Sequence, residues 1–96
     1  MKAVFQKENQ KLTVSVSGKL DSNTSHTLET ELKEHFDGVN ELIFDFTELN
    51  YISSAGIRVL LASYKRLSGN LKVLHANELI CKIFEVTGLS SFFCVE

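Results

Sequence analysis

The chain has 96 residues, enough for one ordinary domain, and folding at this size buries roughly 65% of the extended-chain surface. Hydrophobic residues make up 44% and charged residues 23%, and proline is absent, which excludes a disordered or low-complexity chain. The net charge of -2 gives no support to a nucleic-acid surface or a polybasic membrane patch. We therefore expect one domain spanning residues 1–96.

The N-terminal segment MKAVFQKENQ differs from a signal peptide, because charged and amide residues interrupt the apolar core that such a peptide needs. The longest apolar runs fall far short of the roughly 20 residues of a membrane span. Cys81 and Cys94 stand apart, without a CxxC motif or a histidine at ligand spacing, and are expected to be buried structural thiols. These features predict a cytoplasmic protein with no metal site and no direct membrane insertion.

The first part of the chain predicts a hairpin followed by a helix. Residues 11–17 alternate between apolar and polar, as a half-buried strand does, and residues 3–5 supply its partner across a polar turn. We expect Gly18 to end this pair. The polar cluster at 21–24 supplies helix caps, and the helix that follows is expected to close near Gly38. Its apolar stripe consists of Leu28, Leu32 and Phe36.

Strands and helices alternate in the rest of the chain. Residues 41–46 are almost continuously apolar, which is typical of a parallel strand covered on both faces, and a turn is expected at 47–52. A second helix, predicted to stop at Gly69, is indicated by the spacing of Ile57, Leu60, Leu61, Tyr64 and Leu67. A strand is then predicted to begin at Leu71, and Asn77 is expected to cap a third helix.

The third helix is expected to end at Gly88, and FFCV at 92–95 is predicted to form a last short strand. This order of elements predicts an α/β fold, with a mixed, mostly parallel sheet of four or five strands packed with helices. The residues expected inside are Leu42, Phe44, Phe46, Leu60 and Leu61.

The junction at residues 50–57 is the strongest candidate for a functional site, because it follows the buried strand and begins a helix. Ser53 and Ser54 place two hydroxyls at the positive end of the helix dipole, where a phosphate would be tolerated. The alternative is that they serve only as helix caps. Gly56 in the first helical turn costs about 1 kcal/mol relative to alanine, which suggests that something approaches the backbone closely there.

Enzyme motifs are missing from the sequence: there is no GxSxG elbow, no phosphate-binding GxxxxGK[ST] loop and no histidine near the two serines. We therefore predict that the chain is not an enzyme, has no catalytic residues and needs no cofactor. His26, His35 and His75 lie on three elements without metal-ligand spacing and are expected to be surface or packing residues.

Two acidic positions are noted beside the serine junction, of which Asp45 is expected to be structural at the site. Asp45 stands within the apolar strand and is predicted to accept hydrogen bonds from the loop that follows it. Asp21 and Thr24 are either simple helix caps or part of the same rim as Ser54.

Three segments carry a resemblance to a known family: GKLDSNTS at 18–25, LIFDFTELNYISSAGIRVLL at 42–61 and IFEVTGL at 83–89. They resemble the signature segments of STAS domains of the bacterial anti-sigma factor antagonist type, and the match spans nearly the whole chain. In the ungapped match, Ser54 falls on the serine that the family's partner kinase phosphorylates. Ser53 stands where the family usually has aspartate, and Ala55 where it usually has a second hydroxyl residue, while Gly56 matches the glycine.

The resemblance implies a phosphorylation switch. The unphosphorylated protein would bind an anti-sigma factor that is also a serine kinase, and so free the sigma factor, while a PP2C-type phosphatase would reset phosphorylated Ser54. It also implies that Asp21 lies in the partner-binding loop and that Asp45 is the acid ending the central strand. The partner surface would comprise Asp21, Thr24, Ser53, Ser54, Gly56 and Arg58.

Two alternatives remain open from the sequence. Arg58 is either a solvated surface residue or a contact for an acidic partner. The departure from aspartate at Ser53 leaves a second function class, a STAS accessory subunit of an ABC-type lipid transport system that acts as a scaffold without phosphorylation.

Overall fold

The computed structural model describes residues 1–91 and 94–95. Within these residues, six strands, three α-helices and a short 3-10 helix follow one another along the chain. The strands are β1 (Lys2–Glu8), β2 (Lys11–Leu20), β3 (Glu41–Asp45), β4 (Leu49–Ile52), β5 (Leu71–Leu74) and β6 (Cys94–Val95). The helices are α1 (Ser22–His35), α2 (Ser54–Arg66) and α3 (Glu78–Val86), and the 3-10 helix is Leu89–Ser91.

The sheet has the order β1-β2-β3-β5-β6, and β4 pairs separately with β2. β1 and β2 form an antiparallel hairpin, whereas the pairs β2–β3, β3–β5 and β5–β6 are parallel. The predicted mixed, mostly parallel sheet is therefore confirmed. β6 matches the end of the predicted last strand, and Phe92 and Phe93 lie outside the described residues.

One face of the sheet carries the core. Leu12, Leu42 and Leu71 lie opposite one another across β2, β3 and β5, and all are almost fully buried. The next buried row is Val14, Phe44 and Val73. All three helices contribute to the same cluster, through residues that include Leu28, Leu32, Leu60, Ile80 and Phe84.

The opposite face carries Thr13, Ile43 and Lys72 in register, and Ile43 lies outside the core cluster. The expectation that β3 is buried on both faces is confirmed in its middle, because the consecutive residues Leu42, Ile43 and Phe44 are all buried. The apolar run of β3 is continuous because Ile43 stands between the core residues Leu42 and Phe44. Ile43 is itself buried at the middle of the sheet but does not belong to the core cluster.

The hairpin pairing ends directly before Gly18, as predicted, because its last register pair joins Lys2 and Ser17. β2 continues to Leu20, and its end leaves β3 to pair in parallel with β4. The register shifts after Gly18, whose φ of 85° lies in the left-handed region that glycine adopts without strain. The predicted turn at 47–52 thus contains a four-residue strand.

Burial agrees with most of the predicted core. Leu42, Phe44, Phe46 and Leu60 are fully buried, whereas Leu61 is only partly buried against the cluster. Cys81 is also only partly buried, which corrects its expected burial. Among the described residues, no helix has the length and apolarity needed to cross a membrane.

Candidate functional site

The junction between β2 and α1 is closed by a capping box. The Asp21 carboxylate accepts hydrogen bonds from the backbone N–H groups of Asn23 and Thr24, each at 3.0 Å. The Thr24 hydroxyl lies 3.0 Å from the Asp21 carboxylate and accepts the Asp21 N–H at 2.8 Å. The hydrogen bond from the Thr24 backbone is the largest of the interactions that lower the pKa of Asp21 below its ordinary value.

The two adjacent serines at the junction between β4 and α2 have different environments. Ser53 is the N-cap of α2, and its hydroxyl accepts a hydrogen bond from the Gly56 N–H at 3.3 Å. Ser54 is the first residue of the helix and is exposed. Its hydroxyl has no hydrogen-bond partner among residues 1–91 and 94–95. Capping therefore explains Ser53 and leaves the Ser54 hydroxyl without a structural role.

The fold brings these two junctions together. Leu20, the last residue of β2, is the register partner of Ile52, the last residue of β4. In addition, the Ser53 N–H donates to the Leu20 carbonyl at 2.8 Å. The parallel pairing therefore places Asp21 next to Ser53, so that the first turns of α1 and α2 start from neighbouring strand ends.

Gly56 explains how closely α2 packs on these strands. A Cβ atom at this position would lie 2.8 Å from Ile52 Cγ1 and 3.0 Å from Leu20 Cγ. The close approach expected from the sequence is thus made by the chain's own side chains. Gly56 is itself buried, so we expect it to act through this packing and not through direct contact with a partner.

A groove of about 220 Å³ separates the N-terminal halves of α1 and α2. α2 contributes Ala55, Arg58 and Val59 to its walls, and α1 contributes Ser22, Ser25, His26 and Glu29. Arg58 is exposed and forms no ion pair with the residues that the structure describes. Ser25, in contrast to Arg58, is buried, with 2% of its surface exposed. Its hydroxyl oxygen has no hydrogen-bond partner in that same part of the chain. The sequence alone gave no signal for Ser25.

Asp45 accepts hydrogen bonds from the loop that follows β3, as predicted. The Thr47 hydroxyl and N–H donate to its Oδ1 at 2.6 Å and 3.0 Å. The hydroxyl bond is the main cause of the lowered pKa of Asp45. His75 Nδ1 lies 3.2 Å from the same oxygen, a contact that sequence analysis missed because the two residues are thirty positions apart. None of the Asp45 hydrogen bonds reaches Ser53 or Ser54.

The other histidines are surface or packing residues, as expected. His26 is exposed, and His35 stacks on Phe5 with ring centroids 4.1 Å apart. In the described part of the chain, no three His, Cys, Asp or Glu side chains are grouped so that they could hold a metal ion.

Comparison with known proteins identifies the family to which the chain is related. Residues 2–96 match the family model described as "STAS domain". BtrV of Bordetella bronchiseptica, provisionally named an anti-sigma factor antagonist, is 33% identical over 99% of this chain and 85% of its own length. The anti-sigma-B factor antagonist of Staphylococcus aureus is 30% identical over 85% of this chain and 80% of its own length.

The fold is shared with SpoIIAA, an anti-sigma factor antagonist solved in two forms. The unphosphorylated form superposes with a TM-score of 0.86 at 17% identity, covering 99% of this chain and 88% of that one. The phosphorylated Bacillus form gives 0.77 at 16% identity, covering 99% and 91%. Together with the family match, these similarities show that the chain belongs to the STAS-domain family of bacterial anti-sigma factor antagonists.

Proposed function

We propose that this chain controls a sigma factor by switching partners. Its unphosphorylated form binds an anti-sigma factor that is also a serine kinase, and this binding releases the sigma factor. Phosphorylation of Ser54 ends the binding, and a PP2C-type phosphatase restores it. The chain acts in the cytoplasm as substrate and ligand, while ATP and magnesium belong to the kinase. The names of the relatives support the general role.

The exposed hydroxyl of Ser54 is the observation that carries this proposal. A kinase must reach the hydroxyl that it modifies, and the Ser54 hydroxyl is both exposed and free of hydrogen bonds to the described residues. Ser53 is engaged as a cap, a role that aspartate also performs well. The replacement of the family's usual aspartate by Ser53 therefore leaves the start of the helix intact.

The partner surface is proposed to combine both junctions. Asp21 and Thr24 contribute the end of β2, and Ser53, Ser54 and Arg58 contribute the start of α2. Gly56 allows the start of α2 to pack closely against Leu20 at the end of β2. The hydrogen bond between Ser53 and Leu20 supports a surface whose two parts keep a fixed spacing.

Charge provides the physical basis of the switch. Phosphorylation adds about -1.5 to -2 charge and three acceptor oxygens at the centre of this surface. A loss of about 2.7 kcal/mol in binding free energy already weakens a complex a hundredfold. The switch therefore requires little change in the fold of the chain itself.

Phosphopeptide mapping tests the site. The chain is incubated with its anti-sigma factor kinase and ATP, and the modified residue is located by mass spectrometry. We expect the phosphate on Ser54 and no incorporation into Ser54→Ala. A phosphate on Ser53 would contradict the assignment, because it would place the modified hydroxyl in the cap.

Binding of charge variants tests the switch. Ser54→Asp should weaken binding to the kinase by about 1 to 2 kcal/mol, because a carboxylate carries less charge and fewer acceptor oxygens than a phosphate. Ser53→Asp is the matched control and should change affinity little, since this position tolerates aspartate as a cap. Calorimetric titration measures both. Equal affinities of Ser54→Asp and the parent chain would contradict the switch.

The scaffold function, as an accessory subunit of an ABC-type lipid transport system, is distinguished by the partner. Co-purification from the native cells should yield an ATPase with the histidine-kinase type of ATP-binding fold. Recovery of an ABC ATPase would favour the scaffold, and in that case Ser54 would remain unmodified.

A further inference from the structure

Arg58 lies one helical turn after Ser54, on the same face of α2. Side chains four residues apart in an α-helix are neighbours, and long side chains lean toward the helix N-terminus. The four-residue spacing therefore places Arg58 within reach of a group carried by Ser54. Both side chains are exposed, and within residues 1–91 and 94–95 neither has a hydrogen-bond or ion-pair partner that would hold it elsewhere.

The groove that Arg58 lines also contains a buried polar group without a partner among the described residues. Ser25 lines the groove together with Ala55 and Arg58, and its buried hydroxyl lacks a partner among the described residues. A buried hydroxyl without a partner is uncommon in folded proteins. Arg58 thus lines the same groove as this hydroxyl, next to Ala55, the residue that follows Ser54.

We propose that Arg58 binds the phosphate carried by Ser54, and that this internal ion pair withdraws the Arg58 cation from the partner surface. The inference rests on the proposed phosphorylation of Ser54. A planar guanidinium suits this role, because it donates two parallel hydrogen bonds to phosphate oxygens.

Pairing of the phosphate with Arg58 changes the charge of the partner surface in two ways. Before modification, the Ser54–Arg58 turn carries one positive charge; afterwards, the phosphate and the guanidinium together carry about -1. A partner that contacts Arg58 through an acidic group thus loses a cation and meets an anion. Glu29 lines the same groove but forms no ion pair with Arg58 in the described part of the chain.

The test uses a chain with phosphoserine installed at position 54 during translation, so that no kinase is needed. Phosphorus NMR then gives the second pKa of the phosphate, which is about 6 for an ordinary phosphoserine. With Arg58 present, this pKa should lie about 0.5 unit below its value in Arg58→Gln, since the cation favours the dianion. His26 and Glu29 also face the groove, but they are present in both chains and cancel in the comparison.

Lys65→Gln is the matched control, because it removes an exposed cation from the last turn of the same helix. Its phosphate should titrate as in the parent chain, whereas Arg58→Ala should reproduce Arg58→Gln. Equal phosphate pKa values in the parent chain and in both Arg58 variants would overturn the inference. Failure of the proposed switch would instead appear as absent phosphorylation or unchanged partner binding, which this experiment does not measure.

Discussion

Gly56 sets how closely the first turn of α2 lies against β2 and β4. Alanine at this position would gain up to about 1 kcal/mol of helix propensity. It would also place a methyl group 2.8 Å from Ile52 Cγ1 and 3.0 Å from Leu20 Cγ. Crowding of this kind costs about 1 to 3 kcal/mol, which leaves a net cost of about 0 to 2 kcal/mol once the gain in propensity is subtracted.

We therefore expect Gly56→Ala to lower the free energy of unfolding by up to about 2 kcal/mol, measured by urea denaturation. The control is Thr27→Ala, at an exposed position of α1, where alanine adds propensity without crowding and stability should be unchanged or slightly higher. An increase in stability for Gly56→Ala would show that the helix start has room to move.

Asp45 links stability to pH. Its pKa is lowered from the ordinary 3.8 mainly by the hydrogen bond from the Thr47 hydroxyl. A carboxyl group with a lowered pKa stabilises the fold above its unfolded pKa, and this contribution is lost as the pH falls through the lower, folded value. The stabilisation is thus complete at neutral pH and disappears in acid.

Asp45→Asn should accordingly cost about 0.5 to 1.5 kcal/mol at neutral pH, the range of an ordinary hydrogen bond, and less as the pH falls below 3.8. Denaturant unfolding over a pH series measures this difference. Asp37→Asn is the control, because Asp37 is exposed and its side chain makes no hydrogen bond with the described residues. A loss independent of pH would contradict the carboxylate's role.

At the scale of elements, β3 has one face in the core cluster and a second face whose buried residue, Ile43, lies outside that cluster. Phe44 is fully buried in the core, with the Phe46 ring 5.6 Å away, whereas Ile43 points to the other face. We expect Phe44→Ala to cost about 3 to 5 kcal/mol in denaturant unfolding. Ile43→Ala should cost clearly less, since it opens no cavity between the sheet and the helices. Equal losses would mean that both faces contribute alike.

Sequence patterns predicted the helices and most strands, because their apolar spacing and capping residues are local signals. Asn77 and Ser53 both cap helices as their positions suggested. β4 was missed because four residues with an exposed middle carry no clear alternation, and the strand depends on pairing with β2. The separation of Ile43 from the core cluster could not be predicted, because a continuous apolar run does not reveal what packs on each face.

At the scale of the whole molecule, the candidate site depends on the pairing that the sequence did not reveal. Asp21 and Ser53 are more than thirty positions apart, and the parallel contact of Leu20 with Ile52 brings them together. The residue types at each junction could be predicted from capping and from resemblance. The adjacency of the two junctions could not be predicted, because it depends on the end of β2 pairing with β4 and not with β3.

The charge of the whole chain gives a further test of how the proposed switch works. The formal net charge of -2 is small, so the phosphate's effect on the partner should be local and not a general repulsion between the two proteins. Exposed charges are screened by salt, with a Debye length of about 30 Å at 0.01 M and about 3 Å at 1 M. A charge effect at an exposed residue must therefore weaken as salt is added.

We expect the loss of partner affinity caused by Ser54→Asp to shrink steadily as the salt concentration rises, because the carboxylate acts at an exposed position beside Arg58. Calorimetric titrations of the parent chain and the variant across a salt series measure the difference. Ser54→Asn places a side chain of nearly the same size as aspartate, but without charge, at this position. It therefore separates the effect of charge from that of shape, and it should bind the partner almost as the parent chain does. If Ser54→Asn weakened binding as much as Ser54→Asp at every salt concentration, steric exclusion at the start of α2 would replace charge as the cause of release.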